Sequence, residues 1–229
     1  MASRWLEMHV HTRAGSADSS ITVDALGERA QAAGVEGIVV AEHFRVWSDW
    51  ERENFFDRWG IRIYRAMEAT TDIGHILLVG APPGYSPASD SRALLRKARE
   101  EGIFTILAHP FRFHFDPVHS GSRPVFRQGA PAEELAQSEI FSLVDAVEIE
   151  NGGCNDRENA MAAAVAEVLG LPVTIGSDAH HVHELGRITL PVPEIPVDEA
   201  ALVELISGLT LKDVLSDERK PLKPLTGHE

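Results

Sequence analysis

Apolar runs of strand length alternate with helix-period segments along the whole of this 229-residue chain, and histidines or carboxylates stand where the apolar runs end. Such alternation within one chain calls for parallel strands, in a sheet either open or closed into a barrel, with helices packed outside it. The punctuation is a second constraint. His9 and His11 flank Val10 in Leu-Glu-Met-His-Val-His-Thr. The two-residue period of a strand turns both imidazoles to one side, where they can chelate a single ion at the strand's end. Asp178 and His180 follow the apolar run 172–175 in Gly-Ser-Asp-Ala-His. Between these pairs come Glu42-His43, Glu68, His75 and His109-Pro110, each near a hydrophobic segment. Donors gathered at the C-terminal ends of strands would share one face of a barrel, the face on which barrel enzymes carry their chemistry.

The individual segments read as follows. Residues 5–10 form a strand, and Val23, Leu26, Ala30 and Ala33 mark the apolar face of a helix that Gly34 ends. A continuous apolar strand covers 35–41, and the aromatic, charged stretch 45–59 reads as a loop or short helix over the site. Strands are expected at 61–67, 75–79, 103–108, 146–150, 172–175 and 187–192. Helices are expected at 89–101, from Pro131, at 155–169 and at 198–209, with a short helix plus a polar tail from about Lys212. The stretch 111–131, rich in Phe, Arg and His, lacks a period and reads as a long loop, functional or mobile. No repeat or linker interrupts the pattern, so one domain is expected over 1–229, with its motifs in 9–180 and a C-terminal strand, helix and tail in 187–229.

Composition narrows the chemistry. A single cysteine, Cys154, excludes an intramolecular disulfide and fits a reducing, cytoplasmic setting. It also excludes a thiolate cage, leaving imidazole and carboxylate as metal ligands. A formal net charge of −14 argues against binding to double-stranded nucleic acid but not against a small phosphorylated substrate, since bound cations reverse the local field. The first strand begins almost at once, so no leader is expected, and no apolar run approaches the roughly 20 residues of a membrane span.

Taken together and in order, His9-x-His11 with Thr12, Asp18, Glu42-His43, Glu68, His75, His109-Pro110 and Gly176-Ser177-Asp178-Ala179-His180 resemble the PHP family, the polymerase and histidinol phosphatase domains. The specificity lies in the ordered set, which runs from His9 to His180. Small stand-alone PHP phosphoesterases are nearest in pattern, with Asp-Ser-Ser near the start and Ala-His-Pro-Phe-Arg in the middle. The resemblance implies a distorted (βα)7 TIM-like barrel holding two or three divalent ions (Mn, Zn or Fe) at its mouth. It would place His9, His11 and Asp178 on a first metal, with Glu68 bridging to a second that His109 and His75 also hold. Asp18, His43 and His180 would hold a third. The usual Asp-His dipeptide is Glu42-His43 here, which makes Glu42 a supporting residue rather than a ligand.

The implied activity is hydrolysis of a small phosphate mono- or diester by attack of a metal-bridging hydroxide, with Glu68, Asp178, His180 and Arg112 as the catalytic set. A metal-dependent amidohydrolase or lactonase, or a non-catalytic metal-binding module, would use the same cage. Arg112 is the first candidate to grip a phosphate, ahead of Arg13 and Arg45, whose alternative is a surface salt bridge. Blander roles stand beside the others: a hydrogen-bonded core histidine for His75, a helix N-cap for Asp178, a turn cap for Asn151. His114, His119, His181, His183 and His228 fall outside the pattern and read as loop or surface residues, with His181 and His183 as candidates for the rim. Cys154 reads as an inert loop thiol.

Overall fold

The computed structural model describes residues 3–116 and 126–215. His119 and His228, the middle of the 111–131 loop and the tail beyond Leu215 lie outside the described residues. The strands are β1 (Arg4–Val10), β2 (Gly37–Glu42), β3 (Arg62–Thr71), β4 (Gly74–Val79), β5 (Phe104–Ala108), β6 (Ala146–Asn151), β7 (Val173–Gly176) and β8 (Leu190–Val192). They form one sheet in the order β7-β6-β5-β4-β3-β2-β1-β8. The sheet curls until its two flanks meet. Val10 bridges Ala179 just beyond β7, and the His11 N–H donates to the Ala179 carbonyl at 3.0 Å. β8 pairs only with the first residues of β1, Arg4–Leu6. The result is a nearly closed α/β barrel with one appended strand.

The helices are α1 (Val23–Ala33), α2 (Asp49–Trp59), α3 (Ser91–Glu100), α4 (Ala132–Leu135), α5 (Asp156–Leu169), α6 (Glu199–Ser207) and α7 (Leu211–Val214). Their starts are written locally. Thr22 caps α1, Ser48 and Glu51 form a capping box on α2, and Asn155 and Glu158 do the same for α5. Side-chain alternation in β2 divides the core: Ile38 and Val40 pack with Leu26 and Ala30 of α1, while Val39 and Ala41 join Tyr64 and Ala66 in the main cluster. A strand covered on both faces has to be apolar throughout, which accounts for the unbroken run in the sequence. No helix among the described residues is long and apolar enough to cross a membrane.

Two expectations are corrected. The strands are not all parallel: β3–β4, β4–β5 and β1–β8 pair antiparallel. Only Asp72 and Ile73 separate β3 from β4, and Gly74, at φ 128°, makes the tight return. A parallel crossover needs a dozen or more residues, so this connection can only be a hairpin. The second correction concerns 45–59. Its main element is an 11-residue helix packed mainly on β3 and α1, with Phe55 buried beside Trp47 and Ile63, and not a cover over the site.

Candidate metal centre

β1 delivers His9 and His11 to the barrel interior, where both are fully buried. The His9 and His11 Nε2 atoms face one another at 3.1 Å. Around the same point stand Glu68 Oε2, 3.2 Å from His11 and 3.6 Å from His9, and Asp178 Oδ1 at the same two distances. A tetrahedral ion about 2.0–2.1 Å from each donor holds its donors about 3.3–3.4 Å apart. The four atoms therefore fit a divalent cation. Asp178 Oδ1 supports that fit, because it is buried without a hydrogen-bond partner among the described residues.

The second oxygen of Glu68 serves a different group. Oε1 lies 2.7 Å from His75 Nδ1 and 3.0 Å from His109 Nε2. Glu68 sits inside β3 rather than at its end, opposite Leu77, and His75 pairs with Ala108, one residue before His109. Antiparallel β4 thus brings its starting residue to the rim where its neighbours finish. A third group opens outward: Asp18 Oδ2 lies 3.3 Å from His43 Nε2 and 3.5 Å from His180 Nε2. His180 Nδ1 donates to the Asp178 carbonyl at 2.8 Å, so its Nε2 keeps the lone pair. All nine residues expected as ligands are brought to one end of the barrel.

The field at this end is built for positive charge. Burial works against ionising Glu68 and Asp178, but His9 and the neighbouring histidines outweigh it and hold both carboxyls well below the usual carboxylate range. Burial likewise opposes a charge on His9, and Glu148, Asp178 and Glu68 overcome it, raising the imidazole well above its ordinary value. His43 moves the other way, lowered by burial and by His11. Backbone strain collects here too. His109, Phe113 and Asp178 are the non-glycine residues with positive φ among those described, at 28°, 62° and 52°. Such conformations persist only where the surroundings hold them, and they are typical of functional sites.

Arg112 reaches the mouth from the turn after β5, and its Nη1 donates to Asp178 Oδ2 at 2.9 Å. It lines a cavity of about 410 Å³ together with Asp18, His43, His75, Phe113 and His180. Arg45 is paired with Glu51 at the start of α2, the alternative expected for it, and Arg13 is exposed. Asn151 is buried, donating to Glu148 and accepting from the Gly153 N–H, so it closes the turn expected of it. His181 and His183 are half-stacked surface rings near the rim. His114 is buried in the loop between Phe111, Phe115 and Phe126 rather than exposed. Cys154 is half-buried, and burial raises its thiol, in keeping with an inert group.

Four residues support the ligands, and three of them had no sequence signal beyond their type. Glu42 was expected to support the ligands, and it accepts from the Thr12 backbone, Thr12 Oγ1, Trp47 Nε1 and Ser16 Oγ. Ser16, not foreseen, passes this on: with its proton given to Glu42, its oxygen accepts from His11 Nδ1 at 3.2 Å. Glu7, beneath His9, accepts from the N–H groups of Met8, Ser177 and Gly186, and burial pushes its carboxyl up to about 7. Glu148, in the middle of β6, contacts two of the expected ligands.

Comparison with known proteins bears on the fold. Residues 156–208, which carry Asp178 and His180, match the PHP-associated family model. An uncharacterized protein of Methanocaldococcus jannaschii is 27% identical over 125 residues, 54% of this chain and 48% of that protein, so the match spans about half the relative's length. A structure from Bifidobacterium adolescentis assigned as a metal-dependent phosphoesterase superposes with a TM-score of 0.61 at 15% identity, covering 90% of this chain and 97% of that one. An amidohydrolase from Chromobacterium violaceum, solved with sulfate and no metal, gives 0.58 at 16% identity, over 88% and 96%. PsfC from Pseudomonas syringae gives 0.54 at 17%, over 89% and 88%. The barrel is a fold shared with proteins assigned as a metal-dependent phosphoesterase and an amidohydrolase, and the stretch 156–208 across its last strands is similar to the PHP-associated family.

Proposed function

We propose that this protein hydrolyses a small phosphate mono- or diester with the help of two, or at the outer set three, divalent cations. The observation that carries the reading is the division of Glu68 between two donor sets, Oε2 with His9, His11 and Asp178, and Oε1 with His75 and His109. A single carboxylate shared in this way would serve two cations at once. His9, His11, Glu68 and Asp178 would hold the inner ion, Glu68, His75 and His109 the second, and Asp18, His43 and His180 the third. Bound there, such ions lower the pKa of a water to near neutrality and neutralise charge on phosphoryl oxygens.

The chain's own residues do the rest. Arg112 presents a planar, permanently charged fork at the cavity mouth, matched to two oxygens of a phosphate. Nη1 donates to Asp178 Oδ2 and Nε is buried, so the contact would be made by the Nη edge of the guanidinium. Glu68 and Asp178, held ionised in a buried floor, keep the substrate's own anionic oxygens from settling there without a cation between. His180 is fixed with Nε2 toward the cavity, placed to hold a proton beside the leaving oxygen when the outer set carries no cation. The cavity volume suits a small ester rather than a polymer.

The test is a panel of phosphomonoesters and diesters, with amides and lactones alongside, presented to the protein loaded with Mn²⁺, Zn²⁺ or Fe²⁺. Metal-dependent release of phosphate or of an alcohol from a phosphodiester is the expected result. Turnover of amides or lactones alone would assign the cage to that chemistry. A metal-loaded protein inert toward every member would be a binding module.

A further inference from the structure

We infer that Glu148 is a positioning residue that sets the inner and second metal sites together and ties both to the platform under Arg112. The inference rests on the metal-centre reading above and goes beyond it to a residue outside the donor set. Glu148 is buried in β6, and each of its oxygens is committed. Oε1 lies 2.9 Å from His9 Nδ1. A carboxylate oxygen in that position favours the His9 tautomer with its proton on Nδ1, which leaves the Nε2 lone pair aimed at His11, Glu68 and Asp178. Oε2 accepts the His109 backbone N–H at 2.9 Å, pinning the residue whose φ of 28° swings its ring toward Glu68. The same oxygen accepts from Asn151 Nδ2 at 2.9 Å.

Asn151 carries the tie outward. Its Oδ1 accepts the Gly153 N–H at 2.8 Å, and the guanidinium of Arg112 lies so close over Gly153 that a Cβ there would stand 3.1 Å from Cζ and Nη2. The approach of Glu148 to His9 also needs room. A Cβ on Gly176, in the neighbouring strand β7, would come within 2.5 Å of His9 Cβ and 2.7 Å of Glu148 Oε1. One carboxylate thus joins a ligand of the inner ion, a ligand of the second ion and the loop under the phosphate-gripping arginine. A buried carboxylate that served only the fold would have no need to meet ligands from two separate strands.

Two measurements test this. In the metal-free wild-type protein, side-chain ¹⁵N NMR should find His9 carrying a proton on Nδ1. A neutral ring protonated at Nε2 would overturn the proposal without any variant. Zn²⁺ affinity is then measured by competition with a chromophoric chelator for wild type, Glu148→Gln and, as a charge control in the same strand, Glu150→Gln. Glu148→Gln puts an amide where a carboxylate accepted three donors and should weaken Zn²⁺ binding by about 10- to 100-fold. Glu150→Gln should bind as wild type does. A folded Glu148→Gln variant with wild-type affinity and an unchanged His9 ring would show a merely structural residue. If wild type itself takes up no Zn²⁺, the metal-centre reading falls and this inference with it.

Discussion

The inner and outer ends of the donor cluster are made of the same residue types and built differently. At the inner end His9, His11, Glu68 and Asp178 are at most 6% exposed, and each histidine is held from behind, His9 by Glu148 and His11 by Ser16. At the outer end the side chains of Asp18, His43 and His180 are 58%, 15% and 21% exposed. Donors fixed before an ion arrives lose little freedom in binding it, whereas an exposed aspartate has to give up both water and rotamers. The contrast teaches that burial and outer hydrogen bonds, rather than ligand type, separate the innermost donor set from the outer one.

Glu68→Gln should break the inner end most severely. Losing the carboxylate that both inner sets share is expected to cost about 10³-fold or more in kcat/KM, equivalent to roughly 4 kcal/mol, together with the second ion. Elemental analysis and kinetics on the same preparation check this. A variant that keeps both ions and most of its activity would remove Glu68 from its central place.

Arg112→Ala sharpens the boundary between the two ends, since Arg112 touches Asp178 at the inner end but faces the cavity. One lost charge-assisted contact is worth on the order of 1.5–3 kcal/mol, or roughly 10- to 150-fold in kcat/KM, with metal content intact. Arg112→Lys should recover part of the loss, because an ammonium lacks the planar fork. Unchanged kinetics in Arg112→Ala would leave it only the ion pair with Asp178.

Asp18→Asn should have the smallest effect. At saturating metal, an exposed carboxylate of this kind supports at most about 1 kcal/mol, or roughly fivefold in rate. The metal requirement should rise while the two inner ions stay bound. A loss equal to that of Glu68→Gln would reverse the ranking of the two ends.

Much of this was legible from the residues. The pairing of His9 with His11 on one face follows from strand period alone, and the apolar run of β2 announces a strand buried on both sides. The antiparallel turn of β4 was within reach, because the few residues before Gly74 leave no room for a crossover helix. Its consequence, that His75 reaches the rim from the start of a strand, needed the pairing of Thr70 with His75 and of His75 with Ala108. Glu148 was hidden for a different reason. Within Ala-Val-Glu-Ile-Glu-Asn it looks like any strand polar, and only the neighbouring strands show that it meets His9 and the turn at His109. Ser16 is similar: a loop serine gains its role from a carboxylate 26 positions away. Ligands announce themselves by type and spacing, whereas the groups that orient them are specified by tertiary packing.

The central claim, a preformed inner cage with a looser outer site, is tested most directly by counting bound metal. Protein purified without chelator, then desalted, should retain about two divalent ions per chain by elemental analysis, and added Mn²⁺ or Zn²⁺ should fill a third that a second desalting removes. Asp18→Asn should keep the first two and lose the third. A chain that retains no ion and takes up neither Mn²⁺ nor Zn²⁺, or one in which Asp18→Asn strips every ion, would contradict the account.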